Sequence, residues 1–205
     1  MLRELWIVHP EPATLAAYGA RFEGLGRTRM VASTFEDVPP HDCFVTAGNA
    51  FGIMTAGIDA AVVRRLGDGL MAAVQHRIMD RHLGEQPVGT AFVIPTNHAA
   101  IPYLAHAPTM RVPGNIEGTD KVYAATWAAL TAIHLHNVDH GGPIEVAAFP
   151  AMGTGYGGVS PDESARQMAA AYRHYLDPPH RLDWDHVVGR QRAICYDGPR
   201  QVVRG

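Results

Sequence analysis

The sequence has few cysteines, and it has no long apolar run. Only two cysteines occur in 205 residues, Cys43 and Cys195, which excludes a disulfide framework and is typical of a reduced, intracellular protein. No apolar stretch approaches the ~18 residues that a membrane-spanning helix requires. Glu4 and His9 interrupt the first segment, so we expect neither a signal peptide nor a membrane span. These features predict a cytoplasmic protein.

The sequence also has no excess of positive charge. Lys and Arg number 17 against 20 Asp and Glu, and the net charge of −3 argues against a general attraction to nucleic acid. The only nucleic-acid ligand that we still consider is a modified base. With 47% apolar and 18% charged residues, we predict one globular domain over residues 1–205, with residues 177–205 as a C-terminal tail.

Twelve histidines are present, but they do not form the pattern of a metal site. The densest group is His134, His136 and His140, and residues two apart on a helix do not share a face. No cysteine or carboxylate cluster accompanies them. We therefore expect no metal and no cofactor.

Strand-like and helix-like segments alternate along the chain. Short apolar runs predict strands at residues 5–8, 30–32, 43–46, 89–95, 103–107 and 144–149. Periodicity and capping residues predict helices at residues 14–22, 57–66, 70–84 and 119–137 and from Ser160 onward. The strands at 89–95 and 103–107 carry few charges and are expected to be central. The C-terminal tail is expected to contain one strand, at residues 192–196. The alternation predicts an α/β fold, a three-layer α/β/α sandwich with a mixed, mostly parallel central sheet.

Two glycine-rich segments directly follow predicted strands. The first is TAGNAFG from Thr46, and the second is PAMGTGYGG from Pro150, which contains G-x-G-x-x-G. Glycines allow the backbone amides to approach a ligand, and the helix expected at Ser160 adds its positive end. Ligands of α/β sheets bind beyond the carboxyl ends of the strands. The second segment is therefore a candidate phosphate loop, with an ordinary glycine-rich turn as the alternative.

Two common nucleotide-binding interpretations fail. The dinucleotide fingerprint of dehydrogenases belongs to the first βαβ unit, whereas this loop follows the last strong strand. A Walker loop requires Gly-Lys-Ser/Thr after the glycines, and that sequence does not follow here.

Taken together, the two segments resemble the macrodomain family. Where that family has Asp-Ala-Ile-Val-Asn-Ala-Ala-Asn, this chain has Asp42-Cys43-Phe44-Val45-Thr46-Ala47-Gly48-Asn49. The family's glycine cluster ending in Val-Asp corresponds to Gly52-Ile53-Met54-Thr55-Ala56-Gly57-Ile58-Asp59, and its later phosphate loop to Phe149-Pro150-Ala151-Met152-Gly153-Thr154-Gly155. The resemblance covers residues 31–175.

This resemblance implies an ADP-ribose-binding fold and hydrolytic removal of ADP-ribose from a modified target, the activity of an ADP-ribosylglycohydrolase. It assigns catalysis to Asn49, which would bind the distal ribose, and to Asp59, which would activate water. The implied ligand-binding residues are Phe35, Glu36, Ala47, Gly48, Gly57, Ile58, Gly153, Thr154, Gly155, Tyr156 and Gly157. Two alternatives are a non-catalytic reader of ADP-ribose and a hydrolase of a free ADP-ribose derivative. Asp59 has a structural alternative too, because a carboxylate in the first turn stabilises a helix.

The chain departs from the family pattern at several positions. Thr46 replaces an asparagine and Ala56 a glycine, and Phe35 with Glu36 stands where the family has an adenine-binding aspartate, which leaves adenine selectivity open. Gly157 stands where hydrolases often carry an aromatic residue, so we expect room there for a bulky group on the ribose. Arg111 is expected to contact either phosphate or a structural ion-pair partner. The sequence leaves the modified target and the oligomeric state open.

Overall fold

A computed structural model describes residues 1–141 and 144–195. Its strands are β1 (Glu4–His9), β2 (Thr28–Ala32), β3 (Cys43–Thr46), β4 (Phe92–Pro95), β5 (Tyr103–His106) and β6 (Val146–Pro150). Its helices are α1 (Pro12–Phe22), α2 (Gly57–Leu66), α3 (Gly69–His82), α4 (Lys121–His140), α5 (Pro161–Leu176) and α6 (Trp184–Ile194).

The strands of this part of the chain form one mixed sheet in the order β2-β1-β6-β3-β5-β4. Every neighbouring pair is parallel except β4 with β5, which is antiparallel. Such a parallel sheet needs cover on both faces, because crossover helices return the chain to the same end. The predicted fold class, a three-layer α/β/α sandwich with a mostly parallel sheet, is confirmed.

Alternate residues of each strand point to opposite faces, so the sheet has two apolar layers. Val45 packs in the layer beneath α1, α4 and α5, whereas its neighbour Phe44 packs in the layer beneath α2 and α3. Both side chains are fully buried. The face to which a strand residue points therefore decides which helices it contacts.

The pairing of β3 with β6 determines where the two glycine-rich segments lie. Cys43 is level with Ala147 and Phe44 with Ala148 in a parallel register. Because both strands run in the same direction, their carboxyl ends lie side by side. The loop after β3 and the loop after β6 therefore start next to each other, although the sequence separates them by the whole of α2 to α4.

The start of α5 follows the sequence prediction closely. Ser160 is the N-cap, and its hydroxyl oxygen accepts a hydrogen bond from the Glu163 amide at 3.2 Å. Pro161 occupies the first helical position, where no amide donor is needed. Local chemistry alone therefore determines this boundary.

Two predictions about the sheet and the tail are wrong. The strand predicted at residues 89–95 is the shorter β4, and it is an antiparallel edge strand rather than a central one. Its few charges reflect one buried face, since burial alternates along it and Pro95 is exposed at the edge. By contrast β5 is central, as predicted.

The second correction concerns residues 192–196, which were predicted as a strand. Residues 192–194 belong to α6, and Tyr196 lies outside the described residues. Asp183 begins this helix by accepting a hydrogen bond from the His186 amide at 2.9 Å. Arg166 of α5 holds its other end by donating to the carbonyl oxygens of Ala193 and Ile194. Part of the predicted tail is thus a packed helix, while a single domain over residues 1–205 stays a prediction.

No helix in residues 1–141 and 144–195 is both long enough and apolar enough to span a bilayer.

Candidate functional site

A cavity of about 570 Å³ opens at the carboxyl ends of the parallel strands. The loops after β3 and β6 form two of its walls, and the connection between β5 and α4 forms a third. A parallel bridge between Asn49 and Met110 joins the first and third of these walls. This volume lies within the ~300–1,000 Å³ range that is typical of small-molecule sites.

Every site residue predicted from the sequence lies in the wall of this cavity. The set comprises Phe35, Glu36, Ala47, Gly48, Asn49, Gly57, Ile58, Asp59, Gly153, Thr154, Gly155, Tyr156 and Gly157. The fold thus brings together residues from four separate segments of the chain. Their contact with a ligand stays a prediction.

Sequence reasoning missed other lining residues. Many of them come from the end of β1, from the segment after β2 and from the connection after β5: Val8, His9, Pro10, Ser33, Thr34, Thr109, Met110, Val112 and Pro113. A general signal existed, because ligands bind where several parallel strands end. The sequence does not show which strands lie next to β3 and β6. The residues at the end of β1 could therefore not be predicted to line the cavity.

Free backbone amides form one wall of the cavity. In the described chain, the amides of residues 154–157 donate no hydrogen bond to backbone or side chain. The loop is held by other contacts: Gly158 donates to the Gly155 carbonyl and Val159 to that of Gly153, both at 3.1 Å. Gly153 has φ of +77°, which a residue with a side chain rarely adopts. The loop therefore offers a row of unused donors.

The first turn of α2 faces the same cavity. Gly57, Ile58 and Asp59 all line it, and the N-cap residue Ala56 provides no side-chain hydrogen bond. The first amides of a helix have no partner within the helix, and the helix dipole places partial positive charge there. An anion between this turn and residues 154–157 would meet donors from both sides.

Asp59 is the most unusual polar group of the site. Only 6% of the residue is exposed, and its Oδ1 is buried without a hydrogen-bond partner. Loss of hydration disfavours the ionised form and raises the pKa of Asp59 from 3.8 to about 7. A carboxyl with this pKa exchanges a proton near neutrality, which general acid–base chemistry requires.

Asn49 is largely occupied by its own loop. Its Nδ2 donates to the Ile53 carbonyl at 2.8 Å, and its Oδ1 accepts from the amides of Phe51 at 3.1 Å and Ile53 at 3.3 Å. One Nδ2 hydrogen is left for a ligand. The visible role of Asn49 is therefore to shape the loop after β3.

Phe35 and Glu36 also line the cavity. Phe35 is 2% exposed, with Phe44 packed edge-on at 4.4 Å and the Arg65 guanidinium over its ring, so little of the ring is accessible. Glu36 forms an ion pair with Arg64 at 2.8 Å, and hydrogen bonding to Arg64 lowers the pKa of Glu36. Glu36 is thus an ionised acceptor in this wall.

Two further observations concern Arg111 and groups that could bind a metal. Arg111 pairs with Glu85 through two bonds of 2.7 and 2.8 Å, so the structural alternative is the correct one for this residue. No group of three or more His, Cys, Asp or Glu side chains suited to a metal ion occurs within residues 1–141 and 144–195.

The expected role of Gly157 is wrong. A Cβ at this position would overlap the Gly153 carbonyl oxygen and lie 2.9 Å from Ile116 Cγ1, so the space beside Gly157 is filled by protein. Its lack of a side chain therefore gives the ligand no additional room. Gly157 permits two parts of its own loop to approach closely.

A comparison with known families fits this geometry. The sequence pattern of the Macro domain matches residues 45–168, which covers more than half of the chain and contains both glycine-rich loops. This chain belongs to the macrodomain family.

Two relatives resemble this macrodomain in sequence. An uncharacterized protein of Aquifex aeolicus is 31% identical over 134 residues, which is 65% of this chain and 74% of that protein. An uncharacterized protein of Aeropyrum pernix is 31% identical over 130 residues, or 63% of this chain and 62% of that protein. The match therefore leaves more than a third of the second relative uncovered.

Solved macrodomains share the fold. The macrodomain of Mycobacterium tuberculosis DarG has a TM-score of 0.57 and 20% identity, covering 69% of this chain and 87% of that one. A Trypanosoma brucei macrodomain in complex with ADP-ribose has a TM-score of 0.52 and 19% identity. The match covers 67% of this chain and 52% of that one. At these identities the comparison establishes the architecture of this macrodomain.

Asp59 makes the stability of this macrodomain depend on pH. Because its pKa is raised in the folded state, the native protein binds more protons than the unfolded chain between pH 3.8 and about 7, and stability falls as pH rises through that window. We expect Asp59→Asn to raise the free energy of unfolding at pH 8 by up to about 4 kcal/mol and to change it little near pH 4. Urea denaturation at both pH values measures this, and equal effects at both would contradict it.

The packing around Gly157 generates a second expectation. Gly157→Ala should lower the free energy of unfolding by about 1–3 kcal/mol, because the new Cβ displaces loop backbone. Gly155→Ala is the matched control: a Cβ there meets nothing within 4 Å, and a change below about 0.5 kcal/mol is expected. Chemical denaturation of the two variants compares them, and equal losses would show that Gly157 is not packed in this way.

Proposed function

We propose that this macrodomain binds ADP-ribose and hydrolyses an ADP-ribosyl linkage on a modified target. The observation that carries the proposal is Asp59, a buried carboxyl without a partner on Oδ1, which lines a cavity walled by free backbone amides. Solved relatives support the ligand: a Trypanosoma brucei macrodomain is in complex with ADP-ribose, and an Oceanobacillus iheyensis macrodomain is with ADP.

The diphosphate would lie between the first turn of α2 and the loop after β6. No lysine or arginine is among the described residues that line the cavity, so side-chain cations do not neutralise the phosphates. The amides of residues 57–58 and 154–156, with the α2 dipole, supply the positive potential instead. Amide donors suit a diphosphate because they contact many oxygens and need no reorganisation.

The distal ribose would lie beside Gly48, Asn49 and Asp59. In its ionised form Asp59 takes a proton from the water that attacks the anomeric carbon, while the bond from that carbon to the target breaks. The electron pair of that bond leaves with the target, which then takes up a proton from Asp59 or from solvent. The carboxylate also stabilises the positive charge that develops on the ribose. Tyr156 lines the cavity and is 67% exposed, and we expect it to cover the ribose.

The adenine would occupy the end of the cavity near Phe35 and Glu36. Glu36 is ionised and held by Arg64, so it can accept a hydrogen bond from the amino group of adenine. Phe35 contributes apolar contact through the small part of its ring that reaches the wall. Glu36 would thus take the role of the aspartate that the family uses.

A non-catalytic reader of ADP-ribose is the second candidate. It is favoured by Asn49, whose amide is engaged within its own loop and has a single free N–H for a ribose hydroxyl. A reader needs the diphosphate site but has no use for a carboxyl that is costly to bury. Hydrolysis of a free ADP-ribose derivative is a third candidate and requires the same Asp59 chemistry.

Binding is tested by calorimetry with ADP-ribose on the wild type and Gly155→Val. We expect micromolar affinity for the wild type and a loss of at least about tenfold in Gly155→Val, because the new side chain enters open space in the cavity wall. Gly26→Val is the matched control, since Gly26 also has no atom within 4 Å of an added Cβ and does not line the cavity. Unchanged affinity in Gly155→Val would place the ligand elsewhere.

Catalysis is tested by release assays on ADP-ribosylated Glu/Asp, Arg, Ser and nucleobase substrates and on a free acylated ADP-ribose. We expect kcat/KM to rise about tenfold per pH unit up to pH ~7 and then to level off, because the base must be ionised. Asp59→Asn should keep ADP-ribose binding and lose at least about a hundredfold in release. Tight binding by the wild type with no release from any substrate would favour the reader.

A further inference from the structure

Three buried polar atoms without a protein hydrogen-bond partner lie on the same side of the sheet. They are Thr46 Oγ1, Asp59 Oδ1 and His106 Nε2. Thr46 of β3 and His106 of β5 are register partners, so their side chains point to the same face. This is the face covered by α2, because Phe44 and Leu104, two residues earlier in each strand, belong to the layer beneath α2 and α3.

Gly48 shows that Asp59 and His106 are close to each other. A Cβ on Gly48 would lie 2.7 Å from Asp59 Oδ2 and 3.0 Å from His106 Nε2. Both groups therefore border the same small volume, although no hydrogen bond joins them directly. A gap of this kind between polar atoms is suited to a bridging water, which needs two to four polar partners.

The protonation of His106 is determined by Gln86. Both residues are 0% exposed. The Nε2 of Gln86 donates to the carbonyls of Thr90 at 3.1 Å and His106 at 3.3 Å, which directs its Oε1 at His106 Nδ1, 2.6 Å away. Because Oε1 can only accept, Nδ1 carries the hydrogen, and Nε2 presents a lone pair toward Asp59.

The groups packed around His106 keep it neutral. Burial, with a smaller contribution from His82 of α3, lowers the pKa of His106 to about 4. From β4 it meets the ring of Phe92, at 5.5 Å between centroids. Asp59 of α2 is the acidic group on its other side. At neutral pH, His106 is therefore an acceptor at Nε2, with no charge of its own.

We propose that His106 is a positioning residue for Asp59, acting with Thr46 through a water molecule held beneath Gly48. The inference rests on the proposed hydrolytic function, and it concerns the same site. When Asp59 is ionised, the water donates one hydrogen to Oδ2 and the other to His106 Nε2. When Asp59 is protonated, it donates to the water, which still donates to Nε2. In both states the water joins Asp59 Oδ2 to His106 Nε2.

This arrangement has a consequence for the proton affinity of Asp59. An acceptor at the far end of the water stabilises the protonated carboxyl, so it keeps the pKa of Asp59 high. In His106→Gln, the amide can turn an N–H donor toward Asp59, which favours the ionised form. We expect the pKa of Asp59 to fall by about one unit in that variant.

The experiment follows the Asp59 carboxyl carbon by ¹³C NMR as pH is varied, in the wild type, His106→Gln and His41→Gln. His41 is a suitable control because it is also a buried histidine with an unpartnered Nε2, and it does not line the cavity. The pKa of Asp59 should fall in His106→Gln and stay unchanged in His41→Gln. The pH profile of kcat/KM should move with it by the same amount, with little change in ADP-ribose affinity.

A second measurement uses the wild type alone, so it tests the role of His106 even if His106→Gln does not fold. ¹⁵N NMR of the imidazole should show the neutral form with hydrogen on Nδ1 throughout pH 5.5–8. A hydrogen on Nε2, a cationic ring at pH 6, or an unaltered Asp59 pKa in folded His106→Gln would overturn the inference. A shifted Asp59 pKa without release from any substrate would support this role of His106 and would contradict the hydrolytic function.

Discussion

The parallel pairing of β3 with β6 is the contact on which the site depends. It places the ends of two strands side by side, and each end leads into a glycine-containing loop that lines the cavity. One loop leads into the first turn of α2 and the other supplies a row of unused amides, so the diphosphate that we propose would lie where the two face each other.

The positive potential in the cavity of this macrodomain comes from backbone dipoles rather than from charged side chains. The described cavity wall contains no lysine or arginine, and the nearby arginines are committed elsewhere: Arg64 to Glu36 and Arg111 to Glu85. An unpaired cation would attract the carboxylate of Asp59 and lower its pKa. A wall of amides permits both an anionic ligand and a carboxyl that titrates near neutrality.

Asp59 therefore has opposite consequences for stability and for chemistry. Its burial opposes the ionised form and destabilises the fold above neutral pH, yet the same desolvation produces a base suited to neutral conditions. Gly48 belongs to the same arrangement, because any side chain there would occupy the space shared by Asp59 and His106. Groups that lower the stability of the fold in this way are typical of functional sites.

The sequence by itself determined what depends on neighbours along the chain. The cap at Ser160, the short apolar strands and the two glycine-rich loops are local patterns. They predict the layered fold, and through the resemblance to macrodomains they predict part of the cavity wall. Only the tertiary structure decided which strand lies at the edge, that residues 184–194 form a helix, and that Gly157 packs against its own loop. It also brought His106 beside Asp59. These features depend on contacts between distant segments, and hydrophobic pattern and turn chemistry carry no information about which distant segments will meet.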